Sequence, residues 1–141
     1  MPPQVIIDTS VFVSALRARR GVAFKLLSLV GSGRFEINVS VPLVLEYEHA
    51  AKSQGKHTAL SHEEIDDIID YLCVVGNRRE IFFLWRPFLK DPQDDLVLEL
   101  AVESGATIIV TYNSRDFVGA DQFGVRVLTP QEFLKEIGAL R

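Results

Sequence analysis

Two short apolar runs without alternation, Val5-Ile6-Ile7 and Ile108-Ile109-Val110, decide most of what this chain can become. A strand with one wet face alternates apolar and polar residues. Consecutive, mostly β-branched apolar residues therefore read as a strand covered on both sides, as in a parallel sheet. Both runs meet polar residues at their carboxyl ends, Asp8-Thr9-Ser10 after the first and Thr111-Tyr112-Asn113 after the second. An unpaired carboxylate beside a core is costly, so Asp8 needs hydrogen bonds, water or a cation. In open α/β sheets the carboxyl ends of strands are where ligands bind.

The segments between these runs alternate helical and strand-like patterns. Val11–Leu16 predicts a short helix broken near Arg20-Gly21, and Val22–Val30 predicts a second with Ala23, Leu26, Leu27 and Val30 on one face, closed by Gly31-Ser32-Gly33. Phe35–Val39 alternates strictly and predicts a half-buried strand. Ser40 and Pro42 open a helix to about Lys52, followed by a polar loop over Ser53–Thr58. Ser61-His62-Glu63-Glu64 matches a capping box ahead of Ile65, Ile68, Ile69 and Leu72. Glu80–Leu84 predicts a third strand, closed by Arg86-Pro87, and Asp91-Pro92 opens a helix through Val102 that Gly105 ends. Gly124–Leu128 predicts a short fifth strand, and Thr129-Pro130-Gln131-Glu132 caps a closing helix to about Ile137. The expected architecture is one domain over residues 1–141, a three-layer α/β/α sandwich around a mostly parallel sheet of about five strands.

The balance of 15 basic against 19 acidic residues gives a net charge of −4 and argues against a generally basic nucleic-acid binder. The bases are nevertheless grouped, as Arg17, Arg19, Arg20 and Lys25 and as Arg78 and Arg79, and local patches can steer a polyanion. No apolar run approaches the roughly 18 residues of a membrane span. Met1-Pro2-Pro3-Gln4 offers neither the basic nor the apolar region of a signal peptide, and lone Cys73 reads as a core thiol. The expectation is a cytoplasmic chain.

Three further segments could share a site with Asp8. Asp94 precedes Val97, Leu98 and Ala101 by three, four and seven positions, where a buried stripe begins. Asp95 turns toward Glu99 and is expected to be solvated, and acids in a first turn also complement the helix dipole. Glu46 lies between Leu43 and Ala50 on an apolar face, with Glu48 on another face competing for the same role. The turn Thr111–Phe117 can deliver oxygen ligands from Asn113 or Asp116 to the edge that carries Asp8. His49, His57 and His62 lack zinc spacing, and no Walker loop, G-x-G-x-x-G or G-x-S-x-G occurs.

The ordered set V-I-I-D-T-S-V-F, S-V-P-L-V-L-E-Y-E, D-P-Q-D-D-L-V-L-E-L-A and a polar turn after T-I-I-V resembles the PIN domain, a family of small metal-dependent nucleases that includes many toxins of toxin–antitoxin pairs. The resemblance covers nearly the whole chain and aligns Asp94, not Asp95, with the family's late acid. It implies Asp8 and Asp94 as principal ligands of Mg²⁺ or Mn²⁺, with Glu46 on a second ion or orienting water. Asp116 and Asn113 would complete the set, and Ser10, Thr111, Arg17 and Arg20 would contact water or substrate. Many members carry T-x-D where this chain has Thr111-Tyr112-Asn113, so the fourth position stays open between Asn113 and Asp116. Hard divalent cations suit carboxylate oxygens, and a metal-bound water becomes a nucleophile toward phosphorus. The resemblance further implies an RNA substrate, a small antitoxin partner and a homodimer, for which Phe82, Phe83 and Trp85 are candidate interface residues. A catalytically weak binding module of the same fold is the alternative. A phosphotransfer domain is a more distant one, since Asp8-Thr9-Ser10 lacks the second acid of D-x-D.

Overall fold

The structure, a computed structural model, describes residues 2–53, 58–80 and 89–140. The elements in chain order are β1 (Gln4–Ile7), α1 (Thr9–Arg17), α2 (Val22–Ser28), β2 (Glu36–Val39), α3 (Val41–Ser53), α4 (His62–Val75), β3 (Asn77–Arg78), α5 (Pro92–Ser104), β4 (Ile108–Val110), β5 (Arg126–Leu128) and α6 (Pro130–Glu136). Two 3₁₀ turns, Ser114–Phe117 and Ala120–Phe123, lie between β4 and β5. The five strands are ordered β3-β2-β1-β4-β5, and every pairing is parallel.

Both apolar runs sit at the centre of this sheet. Val5, Ile6 and Ile7 are at most 2% exposed, and β1 pairs with β4 in the register Val5↔Ile108, Ile6↔Ile109 and Ile7↔Val110. Burial on both faces requires helices on both faces, which is the expected three-layer sandwich. Each such Ile or Val contributes on the order of 1.5–3 kcal/mol by leaving water. The chain winds from β1 outward to β2 and β3, then returns across the sheet to β4. The direction of winding therefore reverses between β1 and β4. A reversal of this kind opens a crevice at the strands' carboxyl ends.

Local signals fixed most element ends. Ser61 and Thr129 each form a complete capping box, with Glu64 and Glu132 reaching back, and Asp91 caps α5 by accepting from the Gln93 amide. Gly105 ends α5 in the left-handed conformation, at φ 72°, where a side chain would be strained. Two expectations are corrected. Residues Glu36–Val39 are not half-buried: Asn38 is as enclosed as Ile37, because its side-chain amide pairs with Gln4 and Arg79. The third strand is Asn77–Arg78 and not Glu80–Leu84. Glu80 lies outside it, and residues 81–84 fall outside the described residues. Among the described residues no helix is long and apolar enough to cross a membrane.

Candidate active site

Asp8 follows the last residue of β1 and caps α1, its extended backbone (φ −67°, ψ 151°) ending the strand as the helix begins. Its amide donates to the Val110 carbonyl at 2.9 Å, so it still belongs to the β1–β4 ladder. The residue is only 5% exposed. Oδ1 accepts from the Thr9 amide at 2.9 Å, while Oδ2 accepts from Ser10 Oγ at 3.0 Å and Thr111 Oγ1 at 2.7 Å. Burial pushes the Asp8 carboxyl above its usual range despite these three donors, and the charge of Asp116 adds to the rise. Behind it, the Tyr47 hydroxyl donates to the Ile7 carbonyl, and the Tyr47 ring stacks on Phe12 at 4.7 Å.

Three other acids reach the same crevice from three other segments. Glu46 comes from α3 and Asp94 from the first turn of α5. Asp116 rides the 3₁₀ turn after β4, which buried Phe117 pins to the core and an Asp116 N to Asn113 O bond of 2.9 Å closes. Burial raises the Glu46 carboxyl; the Thr9 hydroxyl opposes the rise, and Asp8 and Asp91 add to it. The Thr9 hydroxyl is near enough to act on Glu46, yet Glu46 Oε2 and Thr9 Oγ1 are buried with no hydrogen bond of good geometry among the described residues. Asp94 carries the largest perturbation of the set. Burial, then the charges of Asp8, Asp116, Asp91 and Glu46 in that order, push its carboxyl from 3.8 to about 7. The charges that act on it are all of its own sign.

Acids from four segments, gathered where the sheet reverses its winding, agree with the chain's match to the family model described as PIN domain, which spans residues 4–115. The chain belongs to the PIN domain family. No curated protein matches its sequence. PIN domains are generally nucleases that use divalent metals, so this is a fold of nuclease type.

Within this PIN domain, the structure changes several readings of individual residues. Asp95, expected in solvent, is buried and accepts from the Leu89 amide at 2.9 Å, fixing the approach to α5. Asp94, one position earlier, is the acid that couples to Asp8. Glu48 no longer competes with Glu46, because it pairs with Lys52 at 3.3 Å on the α3 surface. Between the two residues of the turn, Asp116 is the one whose charge acts on Asp8 and Asp94. Asn113 is exposed, and its amide donates to Thr111 Oγ1 at 2.9 Å. Ser10 and Thr111 do meet Asp8, but by donating to it.

Arg17 and Arg20 stand farther along, Arg17 at the carboxyl end of α1 and Arg20 in the turn before α2. Arg17 and Arg19 rim an apolar groove of about 670 Å³ floored by Leu16, Leu27, Leu60 and Leu72. Phe82, Phe83 and Trp85 lie outside the described residues. Sequence reasoning missed Asp91 and Thr9 as members of the site. Asp91 was legible only as a helix cap, and nothing in the spacing set Thr9 apart.

The donor set suits a hard divalent cation, being carboxylate oxygen throughout. The orphaned Glu46 Oε2 and the raised Asp94 fit it as well, since a cation would satisfy the first and reverse the second. Among the described residues no group of three or more His, Cys, Asp or Glu side chains is placed to hold a metal ion. A cation there would be held through one or two carboxylates, with water completing its shell.

Proposed function

We propose that this PIN domain is a divalent-metal-dependent endoribonuclease, hydrolysing RNA phosphodiester bonds with Mg²⁺ or Mn²⁺ held by Asp8 and Asp94. The observation that carries the reading is the grouping of Asp8, Glu46, Asp94 and Asp116 near the carboxyl ends of β1 and β4, where their charges and burial together push Asp94 to about 7. Natural cores do not gather unpaired acids for stability, and a strongly perturbed group in a crevice is a functional candidate. When bound, the ion supplies an activated water and stabilises charge on the leaving oxygen. Glu46 orients the attacking water through Oε2, and Asp116 adds the charge that Asn113 lacks. Arg17 and Arg20 guide the polyanion toward the acids.

Incubating metal-replete protein with single-stranded RNA, with and without EDTA, tests this directly. Cleavage that requires Mg²⁺ or Mn²⁺ and disappears in Asp8→Asn is expected. Metal-independent cleavage, or none by wild-type protein, overturns it.

The toxin role, a small antitoxin and a homodimer belong to the same proposal and rest on the family resemblance. Growth arrest on expression, relieved by the product of an adjacent short reading frame, is the expected outcome, and unimpaired growth argues against it. Light scattering of the purified protein gives the oligomeric state directly. One observation favours the alternative of a binding module, namely that no three His, Cys, Asp or Glu side chains are placed to hold a metal ion among the described residues. Calorimetry that detects RNA binding but no Mn²⁺ binding would select that alternative.

A further inference from the structure

An ionised carboxylate has about four lone-pair sites, and on Asp8 three are occupied. Oδ2 takes two hydroxyl protons, from Ser10 at 3.0 Å and from Thr111 at 2.7 Å. Oδ1 takes one backbone N–H, from Thr9. The hydroxyls have no second proton to give. Their own oxygens accept from the loop after β4: Thr111 Oγ1 from the Asn113 amide at 2.9 Å, and Ser10 Oγ from the Tyr112 amide at 3.3 Å. Two rungs therefore run from one carboxylate oxygen, through two hydroxyls, to two consecutive amides. They span the crevice between β1 and β4 and lead into the turn that carries Asp116.

We infer that Ser10 and Thr111 are a positioning pair: they hold Asp8 so that it meets a cation through Oδ1 alone, and they lock the loop bearing Asp116 against it. The part about the cation rests on the proposed nuclease reading, while the lock stands without it. Direct contact with a substrate phosphate is the competing role for both hydroxyls, and it would need a proton that each already gives to Asp8. Thr111 is fully enclosed, which further removes it from a substrate. Residues that orient a metal ligand typically change metal affinity 10–100-fold when removed.

The test compares Thr111→Val, which keeps the shape and removes the hydroxyl, with Thr111→Ser, which keeps the hydroxyl. Two measurements apply, amide hydrogen exchange of the metal-free protein and Mn²⁺ calorimetry. Thr111→Val is expected to lose protection at Asn113 and to weaken Mn²⁺ binding about tenfold or more. Thr111→Ser should restore both to within about twofold of wild type, which a purely structural loss of packing would not allow. Unchanged exchange at Asn113 together with unchanged Mn²⁺ affinity in Thr111→Val overturns the inference. A wild-type protein that binds no Mn²⁺ overturns the nuclease reading and the Oδ1 role together. Exchange then decides the lock alone, with lost protection upholding it and retained protection refuting it. Should Thr111→Val fail to fold, Ser10→Ala at the half-buried rung answers the same question through the Tyr112 amide.

Discussion

The four-residue strand β1 has a polar cluster at each end, and the two are built on opposite plans. At its start, Gln4 Oε1 accepts from Asn38 at 3.0 Å and from Asn77 at 3.1 Å, and Gln4 Nε2 donates to Glu36 at 3.2 Å. Asn77 also donates to Glu36 at 3.0 Å, and Arg79 Nε donates to Asn38 Oδ1 at 3.1 Å. These amides tie β1, β2 and the β3 edge together, and donors meet acceptors throughout. Asn77 and then Gln4 hold the Glu36 carboxyl below its usual range. At the other end Asp8 has its three donors, but Glu46, Asp94 and Asp116 add charge of the same sign around it, and the Glu46 carboxyl moves the opposite way. A buried polar network that is fully satisfied specifies structure. One that leaves like charges together and an acceptor unmet stores a preference for a cation.

The largest effect should separate the two ends by activity. Asp8→Asn and Asp94→Asn are expected to lower RNA cleavage by more than about 100-fold, beyond the usual cost of losing a merely supporting residue. Glu36→Gln, one strand over, should leave cleavage within about twofold, because its neighbours hydrogen-bond a neutral amide as readily. A Glu36→Gln variant as inactive as Asp8→Asn would erase the distinction between the clusters.

Stability should separate them in the reverse sense. Asn38→Ala removes a fully buried amide and strands its partners on Gln4 and Arg79, at a cost of about 2–3 kcal/mol. Thermal unfolding should show it as a drop in Tm of roughly 10 °C. Tyr47→Phe takes one hydrogen bond from the Ile7 carbonyl beside the acids and should cost less, about 1–2 kcal/mol. If Asn38→Ala melted with wild type, the ladder would be ornament rather than framework.

The contrast also marks where the sequence could be read and where it could not. β1 and β4 were legible because a strand covered on both faces has no place for a polar residue, so composition alone shows its burial. Asn38 misleads because alternation of polarity is not alternation of exposure; partners on β1 and just past β3 let an amide stay fully enclosed. Asp94, expected where a buried stripe begins, is half-buried, and Asp95, expected in solvent, is buried. The helical stripe through Val97, Leu98 and Ala101 is a poor guide when Glu99 and Leu100 are buried as well, because α5 is enclosed on nearly every side. Which of Asn113 and Asp116 acts on Asp8 depends on a short 3₁₀ turn, whose geometry no periodicity announces.

The smallest expected effect is also the one that best tests what the acid cluster is for. Asp94 ionises near pH 4 when unfolded and at about 7 when folded, so the native state binds the extra proton between those values. Metal-free protein therefore loses stability as pH rises through that window, and Asp8 and Glu46, both raised, act in the same direction. Glu36 acts oppositely: its carboxyl is lowered, so its contribution is present above about 4.5 and lost as pH falls below. Solvent screening at the half-exposed Asp94 carboxyl brings its share down to about 1 kcal/mol. Asp94→Asn should thus raise the Tm of metal-free protein at pH 7.5, change it little at pH 4.5 and flatten the slope between them. Because cation and proton compete for the same oxygens, Mn²⁺ should raise the wild-type Tm more at pH 7.5 than at pH 5. A Tm that climbed steadily from pH 4.5 to 7.5 without metal, or an Mn²⁺ effect indifferent to pH, would mean that the acids are not coupled.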